Sequence, residues 1–373
     1  LQLTTHYALF PLYGPCVEEH GSPAWTYPEN IVGNGAFRLD ERRIRDRIRL
    51  VKSDTYWDRD NVKLNVVDAL SVDTRTTGFN MYETGTLDWP TDTESLIVRD
   101  LLAAGRDQVD LNPAPQLTTY FYGINTNVKP FDDARVRQAL LLAIDRGEIT
   151  RTATGAGEIP AYSLVPPGLA GYTPQECPRE NPERARQLLA EAGYPGGVGF
   201  PKFDILYNSD ETHQTIAELI RKQWQRHLGL NLSIRNEEWG SYLNSQRQLN
   251  FTIVRRSWVG DYLDPNTFLD MFLSGGENNN TGWANEAYDK LIAAAAAELD
   301  AKKRMALLQQ AEQLLMTEGP IIPIYYYVSR NLIRPYVRGF HNTLVDLHPL
   351  HAIWIDHSIE GANEYMRENV PTE

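Results

Sequence analysis

The stretch RRSWVGDYLDP, residues 255–265, places an acid, Asp261, among the apolar groups Trp258, Val259 and Tyr262, with Arg255 and Arg256 shortly before it. A carboxylate flanked by aromatic residues needs a partner, because burying an ionised one alone costs several kcal/mol even after relaxation. A salt bridge to Arg255 or Arg256 is the pairing the neighbouring residues offer. Elsewhere, acid pairs at Asp132–Asp133 and Glu237–Glu238 could serve acid–base chemistry, but both adjoin helix or strand ends, where capping accounts for them equally well. The segment HPLHAIWIDH groups His348, His351 and His357. It could ligate a metal; exposed polar residues on a terminal strand are the alternative. The chain has no G-x-S-x-G elbow, no H-E-x-x-H and no P-loop, and GNGAFR has arginine where a dinucleotide fingerprint needs its last glycine. No cofactor and no metal are expected, and catalysis has no support in the pattern.

Those residues must be positioned by a chain of 373 residues, long enough for two domains, with 42% hydrophobic and 23% charged content. Its formal charge of −13 disfavours nucleic acid and anionic lipid as partners, since both require clustered cations. The local exception, RLDERRIRDRIRL at 38–50, carries Asp40, Glu41 and Asp46 among its arginines and reads as a solvated strand edge. Cys16 and Cys177 permit one bridge without demanding it. No apolar run is long enough to span a membrane. The chain starts at Leu1, with neither Met nor a signal-peptide pattern, and reads as a processed or truncated product.

The first hundred residues read as short strands, NGAFRL, RIRLVKS and VKLNVVDALSV, with a short helix in TRTTGFNMYET. DQVDLNPAPQLT, with two prolines, reads as a crossover between domains. TYFYGINTN is a strand, and Asp132 or Asp133 caps the helix after it. NPERARQLLAEAGY is a helix closed by Gly193. FDILYNS, THQTIAELIRKQWQRHLG and LNLSIRNEEW give a parallel βαβ unit. One further helix is expected over 285–317, and GPIIPIYYYVSRNLIRP as a buried strand leaving this domain. The organisation is a β-rich part, an inserted α/β domain and a return to the first part.

Nine motifs in order make this pattern specific. NIVGNGAFRL, SDTYWDRDNVKLNVV, MYETGTLDW, YGINTNVKPFDDARVRQALLLAIDR and ARQLLAEAGY resemble the peptide-binding (family 5) solute receptors of bacterial ABC importers. LYNSDETH, NEEWGSYL, RRSWVGDYLDPNTFLDMFLS and PIIPIYYYV continue the match to about residue 357, with the greatest likeness to oligopeptide-binding proteins. The resemblance implies an α/β, two-lobed periplasmic-binding-protein-like (type II) fold whose lobes, joined by a hinge, close on a ligand. Residues 1–117 and 329–373 would form the discontinuous first lobe and 118–328 the second. Family members begin with more of the first lobe and a small extra domain, so that lobe is expected to be incomplete. The missing N-terminal segment as a separate chain, a fragment lost to proteolysis and a deletion all remain open.

The implied function is an extracytoplasmic receptor, periplasmic or anchored at the bacterial cell surface, that holds oligopeptides between its lobes and delivers them to an ABC importer permease. A non-transporting sensor or scaffold of the same fold, and a receptor for a non-peptide solute, are the alternatives. By position in the family, Asp261 pairs with the peptide ammonium, a charge-assisted bond, and Arg255 and His213 face its carboxylate. Trp239, Trp258 and Tyr327 match wall positions, where aromatic faces hold varied side chains. Backbone near 255–262 and 325–328 is expected to take the peptide as an added strand.

Overall fold

The computed structural model describes residues 6–359. The chain forms two units: one takes the residues up to Ala114 and resumes at Ser329, and the other runs Pro115–Val328.

The first unit opens with α1 (Gly14–His20) and an antiparallel sheet of β1 (Phe37–Arg43), β2 (Arg47–Lys52) and β3 (Val66–Leu70) in that order. The arginines of 38–50 are absorbed by this sheet: Arg49 pairs Asp68 at 2.7 Å directly across the register, and Arg47 pairs Glu41 at 2.9 Å. Next come α2 (Arg75–Glu83), capped by the Thr74 hydroxyl, and α3 (Ser95–Ala103). The chain then leaves along β4 (Leu111–Ile124). The proline-bearing stretch expected as a crossover does hold the boundary between the units, at Ala114/Pro115, and it does so as the start of a strand. Its register with the later strand β8 begins only at Thr118, so Pro113 and Pro115 withhold no donor from that pairing.

The second unit continues with α4 (Ala134–Leu142), α5 (Arg146–Ile149), β5 (Ile159–Pro160), α6 (Pro182–Glu191), β6 (Phe203–Asn208) and α7 (Glu211–Leu228). It then runs through β7 (Leu232–Glu237), α8 (Trp239–Arg247), β8 (Ile253–Val259), α9 (Asn266–Leu269), α10 (Glu286–Ala297), α11 (Ala301–Glu318) and β9 (Ile321–Leu332). The six-stranded sheet has the order β5-β9-β4-β8-β6-β7. Strand β6 is parallel to both β7 and β8, and β4 is antiparallel to β8. Helix α7 joins the parallel pair as expected; the Asp210 side chain accepts from His213 N at its start, and Gly229 at φ +69° ends it. Its Trp224 is fully buried, and the indole donates to Leu140 O at 2.9 Å.

The single helix expected over 285–317 is two. The break falls at 298–300, where the Asp300 carboxylate accepts from Lys303 N and starts α11 afresh. Beyond β9, β10 (Val337–Arg338) and β11 (Trp354–Ile355) pair within the first unit.

Cys16 and Cys177 are free, buried thiols in different units. The three grouped histidines do not converge. His348, expected to be exposed, has a side chain only 4% exposed that stacks on Phe340 and meets Asp346 at 2.7 Å, whereas His351 and His357 are exposed. Among the described residues no group of three or more acidic, His or Cys side chains is arranged to hold a metal ion, and no helix is long and apolar enough to cross a membrane.

Candidate functional site

Strand β8 carries the central residues because it alternates two buried cations between its faces. Arg255 stands opposite Tyr122 of β4, and Arg256 opposite Phe121, so the two guanidiniums leave the sheet on opposite sides. Neither pairs with a carboxylate among the described residues, so the salt bridge from Asp261 to either arginine is not formed. Arg256 donates to Asn278 O at 3.1 Å, lies over the Phe121 ring and contacts Met271 Sδ; burial pushes it down to about 10.

Arg255 is 7% exposed. Its Nη2 donates to the Tyr327 hydroxyl at 2.8 Å, its Nη1 reaches Asn208 Oδ1 at 3.4 Å, and its guanidinium lies 4.7 Å over the Tyr120 ring. Tyr120 stacks on Tyr325 at 4.7 Å and tilts against His213 at 5.5 Å. Burial pushes the phenols of Tyr120, Tyr122 and Tyr325 upward, so at neutral pH they are uncharged and give Arg255 no counter-charge. Among the described residues Arg255 Nε and Tyr122 Oη have no hydrogen-bond partner. A buried cation surrounded by neutral hydroxyls, with one donor unused, is arranged to accept an anionic group. His213 borders the same cluster from the first turn of α7, with Nδ1 3.5 Å from the Tyr120 hydroxyl and 3.6 Å from Asp210.

A second group forms where β8 ends. Gly260 donates to Leu117 O at 2.8 Å, and the chain turns into the segment carrying Asp261. Thr267 of α9 organises that turn. Its hydroxyl accepts from Asp261 N at 3.0 Å and lies 3.5 Å from both Asp261 Oδ2 and the Trp258 indole nitrogen. Asp261 is exposed and Trp258 half-buried. A Cβ on Gly260 would meet the Leu117 side chain at 2.5 Å. Gly260→Ala is therefore expected to cost about 1–2 kcal/mol and to displace Asp261, read as a lower urea midpoint and weaker ligand binding together.

The structure thus brings Arg255, His213 and Tyr327 into one cluster and Asp261 and Trp258 into another. Trp239 stands apart at the start of α8, 54% exposed and stacked on Tyr242, whose hydroxyl donates to the Arg255 carbonyl. The backbone near 325–328 is less available than expected, because β5 already occupies it: Ile159 pairs Tyr326 and Pro160 pairs Tyr325. On β8, by contrast, β6 pairs only Ile253 and Val254, so from Arg255 onward the β6-side edge has no strand partner among the described residues. Three of the four acids in the two acid pairs have structural roles. Asp133 and Glu238 cap α4 and α8, and Glu237 pairs Arg235. Tyr120, Tyr122 and Tyr325 were missed; the signal was present as tyrosines two apart in TYFYGI and IYYYV, a spacing that puts both on one sheet face.

A mixed α/β sheet domain inserted into a β-rich unit of discontinuous chain is the architecture of the two-lobed periplasmic binding proteins, and solved structures of that class match 93–95% of the chain. The chain belongs to the bacterial extracellular solute-binding proteins, family 5, whose middle-region model matches residues 2–280. It is 37% identical over 347 residues to the periplasmic murein peptide-binding protein MppA of Escherichia coli (strain K12), a match covering 91% of this chain and 64% of that protein. To the periplasmic oligopeptide-binding protein OppA of Salmonella typhimurium it is 35% identical, covering 91% and 63%. Haemophilus influenzae OppA, solved in complex with RPPGFSPFR, superposes with a TM-score of 0.77 at 31% identity, over 95% of this chain and 70% of that one. The chain spans 60–64% of the length of the curated relatives it matches.

Proposed function

We propose that this chain is the ligand-binding part of an extracytoplasmic receptor that takes up oligopeptides and passes them to a membrane ABC importer, with no catalytic step. The observation that carries the reading is Arg255: a buried guanidinium without a counter-charge among the described residues, on the same strand that leads into Asp261. A peptide is a ligand that carries both a positive and a negative end. Its ammonium pairs with Asp261 and its carboxylate with Arg255, His213 serving as a further cation site for ligands of other lengths. From Arg255 to the end of β8 the strand rises about 13 Å, a span on the order of four extended residues. Main-chain bonds to the open β8 edge give affinity without reading side chains, while Trp239, Trp258 and Tyr327 supply aromatic surface that accepts many of them. The murein peptide and oligopeptide names of the relatives support the same ligand class.

Calorimetric titration with tri- to pentapeptides tests this. Peptides with free ends are expected to bind, and N-acetylation or Asp261→Asn to weaken them about tenfold, the effect of an exposed charge pair partly screened by solvent. Equal binding of free and acetylated peptides would remove the ammonium role from Asp261. Absence of binding by every peptide would remove the function.

A further inference from the structure

We propose that Tyr242 sets the register of a peptide on β8: its hydroxyl fills the first carbonyl of the open edge, so that ligand main chain bonds only to Ser257 and Val259. The inference rests on the peptide-binding role of this edge proposed above. Which β8 residues face the edge follows from the pairing with β4. Gly260 N donates to Leu117 O at 2.8 Å and Asn125 N to Thr252 O at 2.9 Å, one bond at each end of that register. Antiparallel partners bond at every second residue. Val254, Arg256 and Trp258 therefore turn their main-chain groups toward β4, whereas Arg255, Ser257 and Val259 turn theirs toward the β6 side. β6 pairs only Ile253 and Val254. Beyond Asn208 its chain follows β7 instead, with Ser209 N donating to Glu237 O at 2.9 Å. Arg255 O is thus the first carbonyl that β6 leaves open.

Tyr242 of α8 fills it. The residue is 1% exposed and belongs to a buried cluster with Leu206 of β6, Val254 of β8 and Phe251, where the two strands part. Its hydroxyl donates to Arg255 O, and its ring stacks on Trp239 with centroids 5.5 Å apart. Burial pushes the phenol upward, so at neutral pH it keeps the proton it donates. Among the described residues no side chain bonds the main chain of Ser257 or Val259 in this way. The edge there is open, with Ser257 half-buried and Val259 62% exposed. Because side chains alternate, a bound strand slips only by two residues, about 7 Å, if its side chains are to keep their faces. A slip toward β6 needs Arg255 O as an acceptor, and Tyr242 denies it. The carboxylate end is then held at one place over the Arg255 guanidinium.

The test is calorimetric titration of the whole chain with hexa-alanine and with a series in which each amide is N-methylated in turn. In the unaltered protein methylation is expected to weaken binding at alternate positions, about fivefold each, the loss of one net hydrogen bond. Tyr242→Phe keeps the ring and its stack on Trp239 and removes only the donor. It is expected to add one further sensitive position, two residues nearer the carboxylate end, because Arg255 O then accepts from the peptide. A merely structural role would lower affinity for every member of the series alike. Carbon-13 carbonyl shifts in the unaltered protein give an independent reading: hexa-alanine is expected to move Ser257 and Val259 and to leave Arg255, whose carbonyl already has a donor. The same sensitive positions in both proteins, or an Arg255 carbonyl that moves with the other two, overturns the role of Tyr242 and leaves the receptor function standing. Absence of binding by hexa-alanine and by tri- to pentapeptides overturns both.

Discussion

Arg255→Met is expected to leave the ligand-free protein as stable as before, or more stable by about 1–3 kcal/mol, while lowering affinity for peptides with a free carboxylate at least about 30-fold. The two effects have one cause. Arg255 is 7% exposed and has neutral neighbours: the Tyr327 hydroxyl, the Asn208 amide and the Tyr120 ring. Neutral acceptors and a ring face recover only part of what water gave the guanidinium, and the orphaned Nε recovers none. Methionine fills similar space without a charge to desolvate, so the empty protein gains. The ligand loses its buried counter-ion, which is why the cost falls on binding, at a site where stability has been traded for function. Urea unfolding and titration with a peptide and its C-terminal amide separate the two. Amidation is expected to weaken binding to the unaltered protein and to change little in Arg255→Met. A variant that is destabilised and still distinguishes acid from amide would show that Arg255 is structural.

What the sequence made legible follows from how local each signal is. The β6–α7–β7 unit could be read because hydrophobic period, the Asp210 cap and Gly229 all lie within one stretch. Arg255, Asp261 and Trp258 could be singled out because an acid and cations among apolar residues read as a conflict with burial; Arg255 is buried on β8, whereas Asp261 lies exposed past the strand's end, so the expected burial of its carboxylate does not occur. The ordered motifs carried the family. The missed features depend on partners distant in sequence. Nothing in IYYYV announces that Ile159 and Pro160 will cover its edge, since a two-residue strand has no pattern of its own. His348 looked like surface because its burial needs Phe340 stacked on it and Trp89 edge-on at 5.3 Å, the latter from another part of the chain. The break at 298–300 hid in helix-favouring sequence, since a single cap residue, Asp300, is a weak signal beside an alanine run.

The same reasoning applied to a buried acid without a cation gives the other large effect. Glu312 of α11 is fully buried and holds the segment 165–175 by accepting from Val165 N at 2.8 Å, Gln175 N at 2.7 Å and the Tyr172 hydroxyl at 2.7 Å. Burial nevertheless pushes its carboxyl from 4.5 up to about 7, against these hydrogen bonds. The folded state therefore holds the proton more readily than the unfolded chain. Its contribution to stability is fully present below pH 4.5 and is lost as pH rises through about 7, a change of about 2–4 kcal/mol. A protonated Glu312 keeps both oxygens as acceptors for the two amides and gives its hydrogen to Tyr172, whose hydroxyl turns to receive it. Glutamine cannot do this. Whichever way its amide is placed, the NH2 group faces either Val165 N–H or Gln175 N–H, and one buried donor is left unpaired. Glu312→Gln is thus expected to destabilise the second unit at every pH, by about 3 kcal/mol at pH 5, and to remove the slope between pH 4.5 and 7. Hydrogen exchange at the Val165 and Gln175 amides, followed across that range, reads both effects. Unchanged protection of both amides in Glu312→Gln would mean that the segment is held by its packing and that the carboxylate is incidental.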